Sequence, residues 1–105
     1  MDKAALKALN GSIAKWRRIV AGTGVDEGGT NCPLCKLFNY GRKTGCEGCP
    51  VRDRTKLAWC YGTPYREWMS TEAAQMSAPV TTARERALAQ KELDFLISLR
   101  PTKAA

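Results

Sequence analysis

Apolar residues near the start of the chain recur at Leu6, Leu9, Ile13, Trp16 and Val20, in alternating steps of three and four, and Ile19 widens the stripe. That spacing keeps one face of a 3.6-residue helix apolar, so it predicts an amphipathic helix over residues 3–21. Lys7, Lys15, Arg17 and Arg18 fall on the expected polar face, and Trp16 is expected to anchor a core. Asn10-Gly11-Ser12 is the weak point. Glycine costs about 1 kcal/mol inside a helix, which leaves Ser12 as a second candidate start. Gly22 suits a C-terminal stop, and residues 22–31 read as a linker in which Asp26 and Glu27 are solvated. The glycines of that linker do not make a phosphate loop, because no strand precedes them and no Gly-Lys-Ser/Thr follows.

Helical spacing resumes at residue 63. Thr63 is a suitable N-cap and Pro64 fits the first helical position, followed by Tyr65, Trp68, Met69, Ala73 and Met76 on one stripe. Ser77-Ala78-Pro79 ends that helix. Thr82 with Glu85 three residues on forms a capping box for a last helix. Leu88, Phe95, Leu96 and Leu99 give its apolar face, and it stops before Pro101, leaving residues 101–105 as a tail. Two C-terminal helices are therefore expected over residues 63–100.

The stretch between these helical parts, residues 32–62, is set apart by its cysteines. Cys32-Pro33-Leu34-Cys35 and Cys46-Glu47-Gly48-Cys49 are two C-x-x-C pairs separated by ten residues, and Cys60 follows after ten more. Each such turn puts two sulfurs on one side of a tight bend, and two facing turns supply the four thiolates of a tetrahedral zinc. Cys32, Cys35, Cys46 and Cys49 are thus the expected ligands, with Cys60 as an alternative ligand or a spare thiol. The spacer is long enough for a short β-hairpin, with Leu37, Phe38 and Tyr40 on one arm and a turn near Gly41. Cys49-Pro50 echoes the Cys-Pro ending of ferredoxin motifs, so an iron–sulfur cluster is the alternative cofactor, although the tight C-x-x-C-x-x-C run is absent. A redox C-x-x-C would call for a βαβ setting, which the pattern does not provide.

At 105 residues, the chain suits one domain, of a size at which a metal often supplements a thin core. The expected fold is a small α-rich, zinc-stabilised domain: an N-terminal helix, a central cysteine module and two C-terminal helices. Five cysteines, an odd number, fit thiolate ligation better than a disulfide framework. The longest apolar runs are too short to span a membrane, and the N-terminal stretch lacks the apolar run of a signal peptide, so a reducing cytoplasm is the expected location.

The chain contains no histidine, which removes the commonest general base and the usual nucleophile pairs. A saturated four-thiolate site also keeps no open coordination position, so no enzyme and no small-molecule substrate are expected. The formal charge is +7, and the cysteine segment carries most of it. Lys36, Arg42, Lys43, Arg52, Arg54 and Lys56 lie there, interleaved with Phe38, Tyr40, Trp59 and Tyr61. Bases beside aromatics suit backbone phosphates and stacked bases, which makes those six residues the candidate nucleic-acid contacts. Docking on a host protein is the alternative.

Ser12-Ile-Ala-Lys-Trp16, Asn31-Cys-Pro-Leu-Cys-Lys36, Cys46-Glu-Gly-Cys-Pro-Val51 and Cys60-Tyr-Gly-Thr-Pro-Tyr65 together resemble a group of short cysteine-rich proteins of tailed bacteriophages and prophages. The resemblance runs from Ser12 to Trp68, a little over half of the chain. It implies a phage origin and a host-cytoplasm location, and it brings no activity with it. In that group a cysteine precedes the Thr-Pro-Tyr segment as Cys60 does here, which favours Cys60 as a ligand.

Overall fold

The computed structural model describes residues 1, 3–38, 49–56 and 62–101, with positions 29, 30, 52 and 53 described through their backbone alone. Its described elements are helical: α1 (Lys3–Ala21), a 3-10 turn (Gly28–Asn31), α2 (Pro33–Phe38), α3 (Pro50–Thr55), α4 (Tyr65–Trp68), α5 (Glu72–Met76) and α6 (Ala83–Ser98). No strand occurs among the described residues. Leu37 and Phe38, expected on a hairpin arm, lie instead on α2. A proline at the first position and an extended Cys32 before it favour a helix start over a strand. Tyr40 and Gly41 lie outside the described residues.

α1 runs unbroken through Gly11, so Ser12 is not its start. The glycine has a packing reason: a Cβ there would stand 3.0 Å from the Pro33 Cγ, so α1 and the head of α2 touch at this point. Gly22 then stops the helix with φ +84°, its N–H bonded to the Ile19 carbonyl while Thr23 bonds back to Arg18, a left-handed C-terminal cap.

α1 packs along α6, and α2 and α4 close on this pair. The core joins Leu9, Ile13, Trp16 and Ile19 of α1 to Leu88, Ala89, Leu93 and Leu96 of α6, with Trp68 fully buried between elements. Trp16 meets Trp68 and Tyr65 edge to face, at 5.2 and 6.0 Å between ring centroids. Leu6 and Val20, expected in the centre of the α1 stripe, are only half-buried, because the buried face is centred nearer Ser12 and Ile19.

The helix expected from residue 63 to the Ser77 stop is two helices, so the C-terminal part holds α4, α5 and α6 instead of two. Thr71 divides them. Its hydroxyl donates to the Trp68 carbonyl and accepts the Ala74 N–H, which ends α4 and caps α5 with one side chain. The α6 capping box forms as expected between Thr82 and Glu85. Glu85 does more than close the box, since its second oxygen accepts the Ala73 N–H at 2.9 Å and ties α5 to the α6 start. Backbone N–H groups of Thr81, Ala73 and Thr82 hold its carboxyl below the ordinary range, against the effect of burial.

Candidate functional site

Cys32 is the best-defined member of the expected ligand set. It is extended, directly before Pro33, so its sulfur takes the position of an N-cap acceptor and receives the Cys35 N–H at 3.4 Å. Ser12, buried on α1, lies beneath it: its Oγ is 3.9 Å from the Cys32 Sγ and accepts the Leu34 N–H. The Cys35 thiol lowers the Cys32 thiol to about 6 against the opposing effect of burial, helped by the Cys35 N–H, the Lys15 charge and the Ser12 hydroxyl. A thiol of this kind is largely thiolate at neutral pH, the form that binds metal and attacks electrophiles.

Cys49 repeats the arrangement in sequence, standing directly before Pro50 at the head of the six-residue α3. It is buried with Val51 against the core. Among the described residues, no three Cys, Asp or Glu side chains gather as a metal site, so Cys49 does not complete one with Cys32 and Cys35. Cys46 and Cys60 lie outside the described residues. The Cys32–Cys35 turn, with its backbone donor and its lowered thiol, has the donor chemistry of half a thiolate site.

Behind Cys32 lies a buried polar hub. Asp26 and Lys15, both expected in solvent, are 3% and 4% exposed and paired at 2.7 Å. Asp26 is fully partnered: Oδ1 accepts Lys15 Nζ and the Gly28 N–H, and Oδ2 accepts the Tyr65 hydroxyl at 2.8 Å and the Trp68 indole N–H at 2.9 Å. Burial alone would raise its carboxyl, but the Lys15 charge and these hydrogen bonds outweigh burial and hold it below the ordinary value. The supposed linker is thereby fastened to α1 and α4. Lys15 Nζ also sits 5.5 Å from the centre of the Trp16 ring.

Glu92 of α6 is the third buried ionisable group of this region, and its Oε2 has no hydrogen-bond partner among the described residues. Burial, with the Cys32 and Asp26 charges, raises its carboxyl to about 7, while Lys15 and the Tyr65 N–H pull the other way. Two sequence signals point to this hub. Glu92 stands four residues from both Leu88 and Leu96 in the apolar stripe, and Lys15 lies three residues after Ser12 and four before Ile19 on the buried arc of α1.

Of the candidate nucleic-acid contacts, Lys36, Arg54 and Lys56 are exposed. Arg54 Nη2 donates to the Ser98 carbonyl at the end of α6, and Lys56 follows α3 with φ +63°. Arg52 lies on α3 with its side chain outside the description, and Arg42 and Lys43 lie outside the described residues. No helix among the described residues is long and apolar enough to cross a membrane. Comparison with protein-family models, with curated proteins and with solved structures returns no match to this chain.

Proposed function

We propose that this chain is a sequence-tolerant nucleic-acid-binding module, phage-derived and working in the host cytoplasm, built around a structural zinc held by Cys32, Cys35, Cys46 and Cys49, whose binding would have to draw Cys49 to the Cys32–Cys35 turn. It is a binder and not a catalyst. One observation carries the nucleic-acid reading: among the described residues the fold buries three carboxylates and a single base. Asp26, Glu85 and Glu92 are buried, whereas Lys15 is the one buried cation among the described residues. The surface is thus more positive than the composition suggests, with Lys36, Arg54 and Lys56 exposed beside the cysteine turns. A zinc there would join the two cysteine turns and fix their spacers on one scaffold. Such contacts neutralise phosphates and release counterions without reading base edges.

The test is a fluorescence titration of the protein against 20-mers of different sequence, single- and double-stranded. Binding should be similar for every sequence and fall steeply with salt, by about 0.7 to 0.9 in log K per log salt for each phosphate contact. Absence of binding at about 50 mM salt, where such contacts are strong, refutes the reading. Metal analysis belongs to the same preparation, because a brown protein absorbing near about 400 nm carries an iron–sulfur cluster in place of zinc. A second reading, docking on a host protein, is favoured by Met69 and Met76, which are 48% and 69% exposed beside α4 and on α5. Methionine suits adaptable contacts, and substitution of both by glutamate would abolish host-protein capture on that reading.

A further inference from the structure

We propose that the outer face of α1 is a second phosphate-binding track, continuous with the basic residues of the cysteine segment. The inference rests on the nucleic-acid reading above and says where most of the contact lies. α1 contains no aspartate or glutamate, and α2 beside it contains none either. On α1 the buried residues occupy one arc, while Lys3, Lys7, Asn10, Arg17 and Arg18 are exposed along the opposite one. Lys3 and Arg17 are fourteen residues apart, about 21 Å of helix at about 1.5 Å per residue. That length matches about six base pairs at about 3.4 Å each.

The middle of this face would be neutral, since Asn10 and Ala14 separate Lys7 from Arg17. A neighbouring element fills the gap. Arg100, just past the end of α6, donates through Nε to the Asn10 Oδ1 at 3.0 Å, which brings its guanidinium onto the α1 face. Two residues earlier, the Ser98 carbonyl is held by Arg54 of α3. These two bonds bring Arg54 to the end of α6 and Arg100 onto α1 among its bases, and a guanidinium that makes one such bond keeps further donors for phosphate. The exposed carboxylates among the described side chains are Glu27, Glu67, Glu72 and Asp94, none of them on α1 or α2, whereas α3 carries Asp53 between Arg52 and Arg54 in sequence. On α1 and α2 the charge is of one sign, and the polymer that complements a long cationic ridge is a nucleic-acid backbone.

The experiment compares the full-length protein with a variant carrying Lys3→Gln, Lys7→Gln, Arg17→Gln and Arg18→Gln. All four side chains are exposed, so the helical circular dichroism should be unchanged. Probes are a mixed-sequence 20-base-pair DNA duplex, its single strand, and vesicles containing phosphatidylserine. The variant should lose at least about tenfold in affinity for both nucleic acids at about 50 mM salt, and its salt dependence should flatten by about three units. Wild-type affinity in this variant, with loss confined to Lys36→Gln and Arg54→Gln, overturns the α1 track and leaves the nucleic-acid reading standing. A wild-type protein that binds neither nucleic acid overturns both. Binding to the vesicles that the variant loses, with DNA binding intact, overturns the proposal in favour of a membrane surface.

Discussion

Glu92 is the residue whose burial carries the clearest consequence. Its carboxyl is buried, one oxygen has no partner among the described residues, and its ordinary value of 4.5 is raised to about 7. A raised carboxyl favours folding only while it stays protonated. Its contribution is whole below about pH 4.5, declines as the unfolded chain ionises, and is lost once the pH passes about 7. The displacement is equivalent to about 3 kcal/mol. Glu92→Gln keeps the shape and cannot ionise, so in urea unfolding it should match the wild type near pH 4 and exceed it near pH 8 by up to about 3 kcal/mol. A difference that does not grow between these two pH values would mean that Glu92 ionises as if in water. Asp26 shows the opposite solution in the same hub, a buried carboxylate kept charged by Lys15 and three further donors.

Among the elements, the contact of α1 with α2 is the one on which the cysteine turn depends. Gly11 touches the Pro33 ring, and one residue later Ser12 bonds Leu34 and reaches the Cys32 sulfur. In an exposed helix, Gly→Ala gains up to about 1 kcal/mol. Here the added methyl would meet a rigid ring at 3.0 Å, so Pro33 must give by a few tenths of an ångström, against Cys32 directly before it. Gly11→Ala should therefore destabilise by about 1 kcal/mol, and Gly11→Val by more, as read by thermal unfolding. A stabilised Gly11→Ala would show that α2 yields freely. The elements were largely legible in the sequence because their signals are local: the stripe of α1, its Gly22 stop, and the Thr82–Glu85 box of α6. The Thr71 break was not, since a threonine inside a helical pattern caps only when its own backbone turns extended. The hub was the least legible part. Spacing placed Asp26 in a loop correctly, but only the fold shows that this loop passes over Lys15, Tyr65 and Trp68. Leu37 and Phe38 left the expected arm for a related reason, because two adjacent apolar residues do not outweigh a proline helix start.

At the scale of the whole molecule, the question is how much of the fold a metal would hold together. A structural zinc contributes on the order of 10 kcal/mol or more where the site does not exist without it. On the proposed zinc reading, that would apply to the cysteine segment. The α1–α6 pair stands on other ground: its core of leucines, isoleucines and tryptophans lies between long helices with caps of their own. The Lys15–Asp26 hub fastens α4 and the loop to this pair without using a sulfur. The two kinds of cohesion use different groups, and they meet at Ser12 and Cys32, at Gly11 and Pro33, and where Leu34, Cys49 and Val51 enter the core. Purified protein should contain one zinc per chain, since two C-x-x-C pairs supply one tetrahedral set. Removing it with a chelator should leave most of the helical ellipticity at about 222 nm, because α1 and α6 hold the larger share of helix. The same treatment should lower the melting temperature and weaken nucleic-acid binding, as the bases of the cysteine segment lose their common scaffold while those of α1 keep theirs. Cys32→Ser should reproduce both effects without chelator. Loss of all helical signal on chelation would mean that the metal organises the entire chain, and that the α1–α6 core is too thin to fold alone.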